Sequence, residues 1–375
     1  MEVRGNKLLS RDFGEQYRVA TSLELFYDLI FVVAIANLVV AFEHSLSAGH
    51  LVDGVLNFLI VFLAIWWAWS QYTWFASSFD NQSVKFRLAT LWQMVGALVL
   101  ASGVEQAFEG HLTILVIGYV IIRSSAILLW IQVLIDNPSL KITARRYAVG
   151  IFLCQLGWIA QSFFPLSYVV LVLLWLAEFT VPFFAESHRQ TNYHSEHIEE
   201  RHGLLTIIVL GESILASTNS FIVLFEEFSY AVLFVAIGCI FTLFGIWWLY
   251  FNDSVEHFLR DHGTAFQWGY GHYLIYGSIA AIGALVGVNI EVLTAETAIS
   301  LATANLGFAV AVAIYLFALW FCHERLLGAN FLQRYFLLGI CGIVILLGLL
   351  PHTVLSIGIT VVLTVIYRQY NPVAE

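Results

Sequence analysis

The chain has 375 residues, 60% of them apolar and 11% charged, with a formal charge of −10. An ordinary soluble domain carries about 25% charged residues, so this composition excludes one. The acidic balance, with no basic patch to neutralise phosphates, excludes nucleic acid as a partner.

In chain order, the first 20 residues are polar and hold Arg4, Lys7, Arg11 and Arg18. No short apolar run ends there in a small-residue cleavage site, so no cleaved signal peptide is expected. A spanning helix needs about 20 mostly apolar residues. Twelve stretches meet that need, near 23–43, 54–76, 87–108, 112–135, 146–164 and 166–185, then 203–222, 230–251, 266–289, 297–322, 334–350 and 352–368. Pro165 and Pro351 break the chain into tight hairpins between the fifth and sixth span of each set. With the N-terminus inside, every Lys and Arg except Arg123 falls in or beside a cytoplasmic segment. The outer loops carry Glu43, Asp53, Glu105, Glu109, Glu226, Glu227 and Glu296 instead. This sorting predicts a multi-pass plasma-membrane protein with both termini cytoplasmic.

The two sets repeat each other. Ile65-Trp66-Trp67 recurs as Ile246-Trp247-Trp248, and Asp80 as Asp261 at the same offset. Gly96-Ala97-Leu98-Val99 recurs as Gly283-Ala284-Leu285-Val286, Leu129-Trp130 as Leu319-Trp320, and Arg146-Tyr147 as Arg334-Tyr335. The fold class read from this order is an all-α polytopic membrane protein of about 12 spans in two six-helix repeats, 1–186 and 187–375. Six is even, so both repeats enter from the same side and are parallel.

Ionisable groups inside a bilayer cost several kcal/mol unless paired or hydrated, and default to functional hypotheses. Asp28, Arg123, Glu178 and Glu212 stand out. Glu24 and Asp28 are four apart and share a helix face, as an acidic mouth for a cation or proton or as interfacial acids bonded to neighbours. Glu212 is expected near the midplane, with Gly211 leaving room for close approach and Ser213 and Ser217 nearby. Arg123 needs a carboxylate, a carbonyl or water, and Glu212, Asp28 and Glu178 are its candidate partners.

The segment 186–202 concentrates four of the 12 histidines among acids. His194, His197 and His202 are weak candidates for a metal site or pH sensor; a solvated amphipathic lead-in to the seventh helix is the plainer expectation. The aromatic run Ile65–Trp74 and its echo at Ile246–Phe251 are expected to anchor helix ends at the interface. Cys154, Cys239, Cys322 and Cys341 each stand alone and read as small apolar side chains. No nucleotide, dinucleotide, GxSxG or metal-ligand motif occurs, and no cofactor is expected.

Glu24-Leu25-Phe26-Tyr27-Asp28-Leu29-Ile30-Phe31-Val32, Trp66-Trp67-Ala68-Trp69 with Asp80, and Arg201-His202-Gly203-Leu204 running to Leu210-Gly211-Glu212-Ser213-Ile214 resemble the motifs of the bacterial low-temperature-requirement A (LtrA) family. The resemblance implies a polytopic membrane protein named for a growth phenotype in the cold, with Glu24, Asp28, Asp80, Arg201, Gly211 and Glu212 inside family motifs. In architecture alone the chain is similar to potassium channels built from six-helix repeats with a Phe-Ser-Asp signature. Here Phe26-Tyr27-Asp28 stands near that place with tyrosine for serine, and the seventh helix has no such triplet.

The leading expectation is a transporter or channel for a small solute or ion, compatible with proton coupling. Glu212, Asp28, Arg123, Glu24, Ser213 and Glu178 would serve its path, and Arg201, Gly211, Asp80 and Asp261 would support it. The alternatives are a membrane enzyme or lipid-modifying factor using the His/Glu loop with Arg201, Asp80 and Asp261, and a membrane stress sensor or assembly partner. The expected partners are the lipid bilayer and the small ion or solute; a homo-oligomer is compatible with all three.

Overall fold

The computed structural model describes residues 7–11, 18–165, 167–226, 228–294, 297–327 and 330–372. Arg4, Glu227 and Glu296, and the side chain of Glu226, lie outside what is described. Among the described residues every regular element is helical. Twelve helices carry the fold: α1 Ser22–Ser47, α2 Leu51–Phe79, α3 Val84–Ser102, α4 Thr113–Asp136, α5 Lys141–Gln161 and α6 Tyr168–Glu186. These are followed by α7 Ser195–Glu226, α8 Tyr230–Tyr250, α9 His262–Thr294, α10 Leu301–Leu327, α11 Phe331–Leu347 and α12 Thr353–Tyr370. Among the described residues nine are long and apolar enough to cross a bilayer, all but α5, α7 and α11.

Helix starts follow side-chain caps. Ser83 accepts from the Phe86 amide, Ser300 from Thr303 and Asn330 from Gln333, each satisfying an amide the helix leaves open. The third span is shorter than its apolar pattern. Gly103 ends α3, and a five-residue helix, Val104–Phe108, completes the stretch. A Cβ at Gly103 would lie 2.6 Å from the Leu115 amide nitrogen, so close approach of the next helix fixes the break at a glycine.

The chain divides into two compact units, Met1–Asn37 with Leu63–Arg201, and Leu38–Phe62 with His202–Glu375. In the first unit α3, α4, α5 and α6 pack as successive neighbours. Small residues let the backbones close up: a Cβ at Gly118 would sit 2.2 Å from the Leu100 nitrogen, and one at Gly96 2.7 Å from the Ile122 nitrogen. Trp130 of α4 stacks on Tyr147 of α5 at 4.0 Å between centroids. Trp66, Trp67 and Trp69 are buried, which corrects the expectation of an interfacial anchor. Two of their indole N–H groups are donors to buried acids, and that need for a partner draws them inward.

In the second unit α10 packs between α9 and α11, and α8 pairs with α12. The α8–α12 contact closes at Gly238, where a Cβ would lie 2.4 Å from the Val354 carbonyl carbon. Here Trp247 and Trp248 are about half exposed, as an interfacial anchor requires. A π-helical turn, Trp320–Glu324, interrupts α10 and brings Glu324 to Arg368 of α12 at 2.8 Å and to the Leu337 amide at 3.0 Å. Leu128, Leu153, Val172 and Leu363 stand exposed on spanning and neighbouring helices. Apolar surface on this scale belongs against lipid.

Candidate functional site

The first turn of α1 is built by a reciprocal cap. The Thr21 amide and hydroxyl each donate to Glu24 Oε2 at 2.8 Å, and the Glu24 amide donates to Thr21 Oγ1 at 3.3 Å. This fixes Glu24 in place, and Asp28 follows one turn on, on the same face. Both are fully buried.

The segment before the seventh span is far from expectation. Helix α7 begins at Ser195, and His197, Arg201 and His202 are fully buried. A solvated lead-in is therefore corrected: His197 and Arg201, four apart, turn one face toward the acids. Arg201 contacts Asp28 through Nη2 and lies 3.3 Å from Glu24 through Nη1. Arg18 donates to Glu24 at 2.8 Å and to Asp80 at 2.9 Å. Asp80 also accepts from the Gln82 amide at 2.7 Å, and Trp69 Nε1 donates to Asp28 Oδ1 at 2.7 Å.

Three carboxylates, Glu24, Asp28 and Asp80, thus face two guanidiniums, Arg18 and Arg201. His197 lies in the first turn of α7, ahead of the apolar stretch. Burial pushes its imidazole down to about 4, against the opposing pull of its contact with Glu24, so it adds no charge at neutral pH. Its Nε2 is 3.2 Å from Glu24 and 3.0 Å from Arg18. A neutral ring can donate to the first or accept from the second through that nitrogen, not both. A third guanidinium borders the cluster, since Arg11 Nη2 donates to the Asp80 carbonyl at 2.8 Å. Asp28 Oδ2, His197 Nδ1 and Arg201 Nε, all buried, have no hydrogen-bond partner among the described residues. Such an arrangement can take up a proton or small cation, and can pass Arg201 between two carboxylates.

In the other intramembrane pair the carboxylate is saturated, while Arg123 Nε, buried, has no hydrogen-bond partner among the described residues. Arg123 donates to Glu178 at 2.8 Å, so of the three acids left open by the sequence Glu178 takes it. Glu178 also accepts from Trp67 at 3.2 Å, Gln155 at 3.0 Å and Trp158 at 3.3 Å. Four donors fill a fully buried carboxylate, the arrangement of a structural lock.

In the second unit Glu212 is half-buried and has no hydrogen bond or ion pair among the described residues. Ser213 is buried and donates to the Ile279 carbonyl at 2.9 Å, and Ser217 donates to the Ile214 carbonyl. A Cβ at Gly211 would meet nothing within 4 Å, so the space the sequence reserved there is open. Asp261 is exposed and caps α9 through the Thr264 amide at 2.8 Å and its hydroxyl at 2.9 Å; those bonds hold its carboxyl below the usual range. His202 packs against Trp268 and His272 at 4.6 and 4.8 Å between centroids, whereas the His194 amide donates to Ser77 Oγ. Among the described residues no three His, Cys, Asp or Glu side chains are spaced to hold a metal ion.

Sequence reasoning missed Arg18, Trp69, Glu324, Arg368 and the buried His272. Arg18 carried a legible signal, a cation three residues ahead of a Thr-x-x-Glu cap. Glu324 and Arg368 sit at the ends of apolar helices, where a charge reads as ordinary solvation.

Comparison with known proteins agrees with the residue motifs. The family model for the bacterial low temperature requirement A protein (LtrA) matches residues 19–367. An uncharacterized protein of Rhizobium meliloti (strain 1021), RA0937, is 28% identical over 276 residues, covering 68% of this chain and 66% of its own length. The chain thus spans slightly under two thirds of that relative. No solved structure matches. With a family match over nearly its whole length and a multi-pass arrangement of apolar helices, the chain belongs to the bacterial low-temperature-requirement A family.

Proposed function

We propose that this protein is a proton-coupled transporter for a small ion or solute, with Asp28 as the proton-accepting group and Arg201 as its movable counter-charge. The observation that carries the reading is Asp28 Oδ2, a buried carboxylate oxygen with no hydrogen-bond partner among the described residues, on a carboxylate whose other oxygen holds Arg201. A buried carboxylate oxygen without a partner is costly unless a proton or cation relieves it. Protonation of Asp28 would weaken its hold on Arg201 and let Glu24 take the guanidinium, giving two arrangements of one switch. Glu212, half-buried and unpartnered beside the open space at Gly211, is proposed as a second acid on the path.

The reading includes twelve spans, with α5, α7 and α11 crossing alongside the nine apolar helices, and two parallel six-helix repeats, 1–186 and 187–375. Recurrent internal contacts support the repeat. Trp130 stacks on Tyr147, and Trp320 lies over Tyr335 at 6.4 Å between centroids, at positions the sequence aligns. The second helix of each set also meets the sixth: Trp67 of α2 contacts Glu178 of α6, and α8 packs on α12. Both termini are proposed to be cytoplasmic and the membrane to be the plasma membrane.

The test is flux into proteoliposomes loaded with pH-, potassium- or sodium-sensitive dyes. Gradient-driven flux that Glu212→Gln reduces, with equal reconstitution, is the expected result. Absence of flux for protons and both metal cations, under either polarity, would sink the ion-coupled reading.

A further inference from the structure

The second unit holds an apolar cavity of about 380 Å³. Its rails are Leu51, Val55 and Leu59 of α2 on one side and Leu306, Val310 and Ile314 of α10 on the other. Each set repeats every fourth residue, which lines three side chains along one helix face. All six are 36–43% exposed, on spanning helices, so the slot opens onto the lipid-facing surface and is continuous with it. Its floor is made of small residues, Gly277 and Ala281 of α9 with Gly307 and Ala311 of α10. Where larger side chains would fill the seam, these leave a groove.

The shape selects the occupant. From Thr303 to Ile314 the lining follows about 16 Å of helix at 1.5 Å per residue. That is about the depth of one leaflet of a hydrocarbon core about 30 Å thick. A polar solute meets only hydroxyls already bonded within the protein. Tyr273 donates to the Leu59 carbonyl at 2.9 Å, Ser278 to Ile275 at 2.9 Å, and Thr303 pairs with Ser300 at 2.9 Å. The polar groups of the wall are already engaged within the protein. A flexible apolar chain meets there, on three sides, a fixed protein wall that packs more densely against it than fluid lipid tails do.

We propose that this groove is a binding site for one acyl chain of a bilayer phospholipid. The test uses the full chain in phosphatidylcholine vesicles containing a trace of phospholipid with a diazirine in its acyl chain, irradiated and mapped by mass spectrometry. Labelling at Ala281, Gly307 and Ala311 well above that at Leu153 and Val172, which are more exposed to the annulus, is the expected result. Ala281→Leu and Ala311→Leu, made singly to fill the floor, should lose the groove label and leave Leu153 and Val172 labelled as before. Should either variant fail to fold, the wild-type ratio of groove to annular label still decides. Groove labelling no greater than at Leu153 would overturn the proposal, as would label that persists in both filled variants. Labelling by a free fatty acid carrying the same diazirine, but not by the phospholipid, would overturn the phospholipid as source.

Discussion

At the residue scale, the carboxylates of the two intramembrane ion pairs of the first unit differ in saturation, and that difference predicts different consequences. Glu178 has four donors, so removing Arg123 strands a buried carboxylate. Arg123→Ala is expected to cost about 3–5 kcal/mol, read as a lowered unfolding midpoint in detergent, and Arg123→Met with Glu178→Leu should recover most of it. His197 gives the network a pH dependence. Its folded pKa, about 4, lies below the usual imidazole value of about 6.5. As pH falls from about 6.5 to 4 the unfolded ring takes up a proton and the folded ring, held among Glu24, Arg18 and Arg201, does not, so its contribution to stability is lost on that descent. His197→Gln should flatten the slope of unfolding midpoint against pH across that window; a slope unchanged in the variant would place its origin elsewhere.

At the element scale, helix existence was legible in the sequence because long apolar runs need no partner to declare themselves. What a helix does with its polar face was not. Trp66, Trp67 and Trp69 have the composition of an interfacial belt, and only the acids Asp28 and Glu178, distant in sequence, explain their burial. The start of α7 misled for the same reason: His197 and Arg201 look solvated until Glu24 and Asp28 are set against them. Glycines give the element scale its sharpest prediction. Gly118→Ala would press a Cβ to 2.2 Å from backbone of α3, which cannot swing aside, whereas Gly211→Ala meets nothing within 4 Å. The first should lower the midpoint by an amount corresponding to about 1–3 kcal/mol or more, and the second should leave it within about 0.5 kcal/mol. Equal effects would contradict the helix crossing at Gly118.

At the scale of the whole molecule, composition and long apolar runs made the membrane class readable, while the pairing of Arg123 was not, since three acids could have served. Orientation has a direct check. With native cysteines replaced, a cysteine at His111 should react with a membrane-impermeant maleimide in intact cells and one at Arg260 should react only after lysis; both positions are exposed. The central claim is that Asp28, whose carboxylate has an open oxygen, carries protons and that Glu178, whose carboxylate is filled by donors, carries structure. The measurement that tests it most directly is pH-gradient-driven flux in proteoliposomes, with Asp28→Asn and Glu178→Gln compared at equal reconstitution. Loss of flux in Asp28→Asn, with flux retained in a less stable Glu178→Gln, is the predicted result; flux retained in Asp28→Asn and lost in Glu178→Gln would contradict it.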